Sequence, residues 1–444
     1  MIDTDSLKKI AQAACDAAIS NGAEFADVSA NYAKDLSIDL ESNAIKSCDA
    51  KLGGGVSVRA IYKGGTGWSS SDKLNLEDAA EAGKNAARLA KLAEPDPDFI
   101  SLPALAETYP CVEGLVDPAI AELDIKDIIK YSLDNIDSAL SVCSDAIVGG
   151  GFSADYSTTA LINSLGVSLI KIGSYIGGHI MVVIKRGDDV GSFYDFDAAR
   201  VMADFDPEEI GAKAAQQALK FLGARKVETG RMSVILGPLA SRSIFSGIVN
   251  NADAESIQRG RSFMAGKLGE KIASDVLTLT DNPLIPRGLS SRAFDSEGFP
   301  SKPLVVMENG VLKSYLYGSY TSGKAKVPNT GHGTRGGGAT SSNIVPKLGE
   351  MTAEEIIKST KEGIYINMGR ISPNDTTGDV SNAIDFGFKI ENGELTYPVS
   401  SAMVGGKFFD MLKNIDAISS DYREEPGMIM PTLRIQDVLV AGGK

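Results

Sequence analysis

The segment VSANYAKDLSIDLESNAIKSCDAKLGGGVSVRA, residues 28–60, places apolar side chains at alternate positions. A period of two is typical of strands that bury one face and expose the other. The glycines at 53–55 and 64–65 are predicted turns. The segment therefore predicts an antiparallel meander, and its alternating positions form three runs: Val28, Ala30 and Tyr32; Leu36, Ile38 and Leu40; Val56, Val58 and Ala60.

One helix is predicted before this meander in the sequence and another after it. Residues 5–21 place small and apolar side chains on one helical face, and Asn21 and Gly22 supply a stop signal. An alanine-rich helix is predicted over 76–93. The first unit of the chain is therefore a helix, a set of strands and a second helix.

A second unit with the same order is predicted further along the chain. Residues 94–120 contain five prolines and are predicted to form an irregular connector. Asp124 opens a helix, strand-like runs occupy 145–186, and Asp206 and Pro207 begin another helix. This order indicates a loose internal duplication. The buried stripe predicted for the helix after Asp124 is Ile125, Ile128, Ile129, Leu133, Ile136 and Leu140.

After about residue 228 the sequence changes to short strands separated by glycine turns. Asn309 and Gly310 predict a hairpin between the runs 304–307 and 311–312. The predicted fold class is α+β. An N-terminal domain of helices and antiparallel sheet spans 1–226, and a β-rich domain with few helices spans 227–444.

Composition restricts the classes of function. The 444 residues carry a formal charge of −14, which disfavours direct binding to a phosphate backbone. Acidic residues precede any apolar run at the N-terminus, so neither a signal peptide nor membrane association is expected, and a cytoplasmic location is predicted. The four cysteines have no metal-type spacing and are predicted to be reduced.

The sequence lacks two common hydrolase signatures. Its two histidines, His179 and His332, are too far apart for an H-E-x-x-H helix, and no serine has the glycine spacing of a nucleophile elbow. His179 lies in an apolar run and is predicted to be a hydrogen-bonded structural residue. Four carboxylates match no calcium loop and are mostly predicted to be solvated: Asp253, Glu255, Asp275 and Asp281.

The glycine-rich segment 330–338 is a candidate contact site. Gly331, Gly333 and Gly336 match G-x-G-x-x-G, but no buried strand precedes them and no helix follows, so nucleotide binding is not indicated. One interpretation is a mobile surface loop with an exposed His332. The other is close approach of a peptide or partner to Gly331, His332, Gly333 and Arg335, because glycine removes side-chain obstruction.

Several segments together resemble the TldD/TldE (PmbA) family, and the resemblance spans about residues 5–442. Two blocks, D-x-x-G-x-P and E-x-G-x-L-K-x-Y-L, occur in order in the second half. The matching segments are 55–59, 67–70, 295–300, 308–316, 377–379, 390–394, 398–399 and 411–415.

The TldD-type chain of this family carries an H-E-x-x-x-H segment upstream of an Arg-Gly pair. The resemblance implies that this segment and a C-terminal cysteine bind zinc. Counting back from Arg259 and Gly260 places the three key positions on Phe245, Ser246 and Asn250. Phenylalanine cannot donate to a metal, and serine cannot replace the catalytic glutamate. The chain therefore resembles the TldE-type member, and no metal or other cofactor is expected in it.

This resemblance implies a function in proteolysis. A TldE-type chain pairs with a TldD-like catalytic subunit, which holds the zinc, and the pair degrades or matures unfolded peptides. A homodimer is plausible when the partner is missing. Two alternatives remain open: an autonomous metallopeptidase that uses Asp253, Glu255 or His332, and a regulatory protein that acts on DNA gyrase or another complex.

Overall fold

The computed structural model describes residues 3–425 and 427–443, and for Glu425 it describes the backbone only. The N-terminal half is built on a six-stranded sheet. Its helices are α1 (Thr4–Ser20), α2 (Leu76–Leu92), α3 (Pro118–Glu122), α4 (Ile125–Val142) and α5 (Ile210–Lys220). Its strands are β1 (Phe25–Glu41), β2 (Ala44–Tyr62), β3 (Gly65–Ser71), β4 (Ala146–Asn163), β5 (Ser168–Arg186) and β6 (Asp189–Ala199).

Two three-stranded units join edge to edge in this sheet. The strand order is β3-β2-β1-β4-β5-β6, so the units meet where β1 pairs with β4. Ala30 lies opposite Ala160 at this junction, and every neighbouring pair is antiparallel. Helices α1 and α2 flank the first unit in sequence, and α4 and α5 flank the second.

The long helices cover one face of the sheet. Val28 and Ala30 of β1 share a core with α1 and α2, whereas Leu36 and Ile38 share a core with α4 and α5. These four residues have even numbers and so project from the same side of the strand. The opposite side, which carries the odd-numbered residues of β1 and β5, is polar along its middle and is called the open face below.

One predicted turn in this sheet is wrong. Gly53, Gly54 and Gly55 lie inside β2, and the first two alternating runs belong to the single strand β1. A Cβ on Gly54 would lie 1.8 Å from the carbonyl oxygen of Asn31, so glycine permits close strand contact here. The turn between β1 and β2 instead uses Ser42, whose φ is 52°, and the residue that follows it.

The helices of the second unit depend on a contact between them. Asp124 forms the predicted N-cap of α4, but Leu133 is 44% exposed and Asn135 is buried instead. The side-chain oxygen of Asn135 accepts a hydrogen bond from the Gly211 amide at 2.8 Å. Helix α5 therefore begins at Ile210 and not at Asp206, because its first turn is satisfied by a side chain of α4.

The C-terminal half contains short helices and one twelve-stranded sheet among its described residues. Strand β18 (Met428–Gly442) is central and pairs with four others. The helices are α6 (Pro238–Asn251), α7 (Ala254–Gln258), α8 (Ser319–Ala325), α9 (Ala353–Lys358) and α10 (Phe408–Lys413). The other strands are β7 (Gly230–Leu236), β8 (Leu279–Asp281), β9 (Leu304–Glu308), β10 (Val311–Leu312), β11 (Ile344–Pro346), β12 (Glu362–Met368), β13 (Asp379–Ile384), β14 (Phe386–Glu391), β15 (Glu394–Val399), β16 (Ala402–Lys407) and β17 (Ile415–Glu425).

The predicted fold class is confirmed: an N-terminal half of helices on an antiparallel sheet precedes a β-rich half with short helices. The hairpin at Asn309 and Gly310 is also confirmed, since β9 and β10 pair on either side of it. The domain boundary at residue 226 stays a prediction. None of the described helices has the length and apolar character needed to cross a bilayer.

Candidate functional site

Helix α6 carries Phe245, Ser246 and Asn250, the three positions that the family resemblance predicts to correspond to the H-E-x-x-x-H segment. Phe245 is fully buried in the core of the C-terminal half, Ser246 is half-buried and Asn250 is exposed. Positions five residues apart on an α-helix are separated by about 140° around the axis. Phe245 and Asn250 therefore point in different directions, and Phe245 serves the core.

The residues at these positions do not fit zinc. Zinc in proteins is bound by cysteine sulfur, histidine nitrogen or carboxylate oxygen. Phe245 has no donor atom, and Ser246 and Asn250 offer only neutral polar groups. Within residues 3–425 and 427–443, no group of three or more His, Cys, Asp or Glu side chains is arranged to hold a metal ion.

The glycine-rich loop packs within the C-terminal half and contacts the first sheet through Arg335. Gly331, His332 and Gly333 are buried. His332 Nε2 lies 3.0 Å from Asp281 Oδ1, and its Nδ1 lies 3.0 Å from Thr330 Oγ1. The interpretation of the segment as a mobile surface loop with an exposed His332 is therefore wrong for this histidine, which is buried beside a carboxylate. Contact of a peptide with its ring would require the loop to open.

Arg335, at the end of the same loop, reaches into the first sheet. Its Nε donates to Asp27 Oδ1 at 2.6 Å, and its Nη2 donates to the carbonyl of Ser57 at 2.9 Å. Arg59 Nε donates to Asp27 Oδ2 at 2.8 Å, and Arg59 Nη2 lies 3.3 Å from Glu297 Oε1. Asp27, Arg59, Glu297 and Arg335 are called the ion network below. Its two positive and two negative groups balance, which is what burial of charge requires.

Trp68 of β3 stacks beneath the two arginines of the ion network. The guanidinium of Arg335 lies 5.1 Å from the ring centroid, and that of Arg59 lies 5.8 Å away. The indole remains 41% exposed and lines a cleft of about 220 Å³, together with Glu255 and Arg259. This volume is below the ~300–1,000 Å³ of small-molecule sites, so the cleft fits one side chain.

Asp295 lies beside the ion network and is also buried. Its Oδ1 accepts hydrogen bonds from the amides of Glu297 at 3.0 Å and Phe299 at 2.9 Å, and its Oδ2 accepts one from Gly333 at 2.8 Å. Burial, followed by the negative charge of Glu297, raises the pKa of Asp295 to about 7. This carboxyl group therefore titrates near neutral pH.

We expect the Asp295→Asn substitution to flatten the pH dependence of stability. Because folding raises the pKa of Asp295 from 3.8 to about 7, the folded chain keeps a proton that the unfolded chain releases. Stability therefore falls as pH rises between these values, and the loss is complete above about pH 7. Asparagine has no proton to lose in this pH range. Its side-chain oxygen can still accept the hydrogen bonds from the amides of Glu297 and Phe299. Urea unfolding at about pH 5 and about pH 7.5 measures the difference.

The matched control is Asp137→Asn, which changes an exposed carboxylate of α4. We expect this variant to keep the wild-type change in unfolding free energy between the two pH values. If the unfolding free energy changes equally between the two pH values in Asp295→Asn and Asp137→Asn, Asp295 does not titrate in this range.

The remaining sequence candidates occupy different environments. Asp281 is fully buried and Asp253 caps α7, so the prediction that they are solvated is wrong for Asp281 and incomplete for Asp253. Asp275 is exposed, as predicted. His179 is exposed on the open face, with its ring centroid 5.5 Å from that of Tyr194, so its environment differs from the one expected for a hydrogen-bonded structural residue in an apolar run.

Sequence reasoning did not identify the ion network as a site. Arg59 ends the segment G-V-x-V-R, and Glu297 lies within D-x-x-G-x-P, so two members stood in recognised motifs without an assigned role. Asp27 carried no signal beyond being an acidic residue in an apolar strand. An acidic residue in an otherwise apolar strand indicates a buried partner of opposite charge.

Three family models match most of the chain. Residues 26–90 match PmbA/TldA metallopeptidase domain 1, 118–222 match the central domain, and 229–442 match the C-terminal domain. The chain therefore belongs to the PmbA/TldA metallopeptidase family, which confirms the resemblance found in its motifs.

Individual relatives extend over nearly the whole chain. Metalloprotease PmbA of Escherichia coli O157:H7 is 24% identical and covers 99% of this chain and 97% of its own length. The crystal structure of TldE from Thermococcus kodakarensis has a TM-score of 0.89 at 25% identity and covers 98% of this chain and all of its own. A Bacteroides thetaiotaomicron structure, whose name proposes a modulator of DNA gyrase, has a TM-score of 0.91 at 27% identity over both full chains.

Proposed function

We propose that this chain is the non-catalytic, TldE-like subunit of a zinc peptidase that degrades or matures unfolded peptides. The observation that supports the proposal is the burial of Phe245 in the core, at the position that the family resemblance predicts to correspond to a zinc ligand of the catalytic chain. A core phenylalanine and a neighbouring serine supply neither a metal donor nor a general base. In this proposal a TldD-like partner holds the zinc.

Two surfaces support a role in holding peptide. The open face is a polar sheet surface, uncovered along its middle, on which an extended chain can lie. The Trp68 cleft accepts one side chain next to the loop that contains Arg335. A subunit without catalytic groups can still contribute by restricting the conformations of the substrate, since positioning reduces the entropic cost of reaction.

The test measures peptidase activity on an unstructured polypeptide for this chain alone, a TldD-like chain from the same organism alone, and the two mixed. We expect activity only in the mixture, together with zinc that copurifies with the TldD-like chain. Metal analysis of each purified component identifies which chain holds the zinc.

Two results would overturn the proposal. Stoichiometric zinc with chelator-sensitive activity in this chain alone would make it an autonomous enzyme. Failure of the two chains to associate, with activity of the partner unchanged on mixing, would remove its role as a subunit. Size-exclusion chromatography of this chain alone shows whether it also forms a homodimer.

A further inference from the structure

Lys171 of β5 lies on the open face where the C-terminal half begins to cover it. Gly298 packs against Leu161 and Leu169, and Lys171 is the next residue on that side of β5. Its side chain is reachable by solvent. Within residues 3–425 and 427–443 it has neither a hydrogen-bond partner nor an ion pair. An extended chain that follows the open face would reach the covered end at this lysine.

Two arginines approach the same place from different segments. Arg200 follows β6, and a Cβ on Gly173 would lie 3.2 Å from its Nη1, so glycine makes room for the guanidinium against β5. Arg292 comes from the C-terminal half. Desolvation by the surrounding protein, followed by the positive charges of Arg200 and Arg292, lowers the pKa of Lys171.

The hydrogen bonds of both arginines go to backbone carbonyls. Arg200 donates to Gly288 at 2.9 Å and Leu289 at 2.6 Å, and Arg292 donates to Ser341 at 3.0 Å and Thr340 at 2.8 Å. Carbonyl oxygens orient a guanidinium but leave its unit charge in place.

Some carboxylates act on these arginines at longer range. The negative charge of Asp155 acts on Arg200, and those of Asp281 and Asp295 act on Arg292. Among the described residues no carboxylate opposes Lys171 in this way, and the charges that act on it are those of the two arginines. In a chain with a net charge of −14, this ammonium is therefore a local positive site without a counterion in the described part of the chain.

We propose that Lys171, backed by Arg200 and Arg292, binds a carboxylate of an extended peptide lying on the open face. A carboxylate would relieve the repulsion among the three cations and accept hydrogen bonds from the lysine ammonium. The identification of the ligand as a peptide rests on the proposed function. The carboxylate is either the C-terminus of the peptide or an acidic side chain.

The test measures peptide binding to this chain alone by fluorescence anisotropy, so it requires neither the partner nor hydrolysis. Four labelled peptides of one unstructured sequence are compared: a free C-terminus, an amidated C-terminus, an amidated form with one internal glutamate, and an amidated form with one internal lysine. We expect the carboxylate forms to bind about tenfold more tightly than the neutral form. Higher salt should reduce this difference.

Variants at Lys171 locate the effect. Lys171→Met should remove the preference for carboxylate and leave binding of the amidated peptide unchanged, whereas Lys171→Arg should retain the preference. Lys185→Met is the matched control, because Lys185 is an exposed lysine on the same strand and the same face. Circular dichroism confirms that each variant is folded.

The pattern of binding decides between the carboxylate sources. Preference for the free C-terminus alone assigns a terminus site, and equal preference for the glutamate form assigns a general acidic-peptide site. Equal binding of all four peptides, no binding of any, or an unchanged preference in Lys171→Met would each overturn the inference. None of these results depends on whether a TldD-like chain associates with this one.

Discussion

Substitution of Asp27 by asparagine is expected to lower the free energy of unfolding by about 3–5 kcal/mol. Asp27 is 1% exposed and accepts hydrogen bonds from both Arg59 and Arg335. Asparagine has nearly the same size but no charge, so two buried guanidiniums would share the single carboxylate of Glu297. Uncompensated charge in a buried site is costly because water cannot solvate it. Urea unfolding followed by far-UV circular dichroism measures the loss.

Asp49→Asn provides the control for this experiment. Asp49 also lies in the first sheet and pairs with Lys51 at 3.8 Å, but its side chain is 52% exposed. An exposed ion pair contributes little, so we expect a change within about 0.5 kcal/mol. The double variant Asp27→Asn with Arg335→Met should cost less than the sum of the two single changes, since both act on one network. A cost for Asp27→Asn no larger than that for Asp49→Asn would contradict this account.

The second large effect is expected at Phe245. Replacing it by alanine should lower the free energy of unfolding by about 3–5 kcal/mol, through lost burial and the cavity that remains. Phe245 and Phe408 are among the largest fully buried side chains of the chain, and both belong to the core of the C-terminal half. The same urea titration of the whole chain measures the loss.

Asn250→Ala is the matched variant on the same helix. Asn250 is exposed near the end of α6, and its loss should change stability by no more than about 0.5 kcal/mol. Similar costs for the two substitutions would mean that α6 does not use Phe245 as a core residue. The burial of Phe245 in the core would then no longer support a non-catalytic role for this chain.

Local sequence was sufficient to predict the helices α1, α2 and the start of α4. Their signals are a 3.6-residue apolar period and a capping residue such as Asp124, both contained within a few positions. The hairpin at Asn309 and Gly310 was predictable for the same reason. Glycine was less informative inside strands, because Gly54 relieves contact with a neighbouring strand and does not form a turn.

The candidate site was less predictable because its contacts join distant segments. Asp27 and Arg335 are separated by 308 positions, and Asp281 and His332 by 51. Neither pair has a spacing rule, since the folded sheets alone bring the members together. A lone histidine and a lone strand aspartate look unpartnered in one sequence, and both proved to be buried with charged partners. The degenerate positions Phe245, Ser246 and Asn250 came from the family resemblance, and their correspondence to a zinc motif stays a prediction.

Trp68 is an intrinsic fluorescent probe of this protein. The chain contains one tryptophan, and it lies beneath the guanidiniums of Arg59 and Arg335 where the first sheet meets the glycine-rich loop. The intrinsic tryptophan emission of the intact chain therefore originates entirely from this junction. Arrival of a peptide or a second chain in the cleft would change the spectrum directly, without dye or engineered fluorophore, while events at distant surfaces would leave it unchanged.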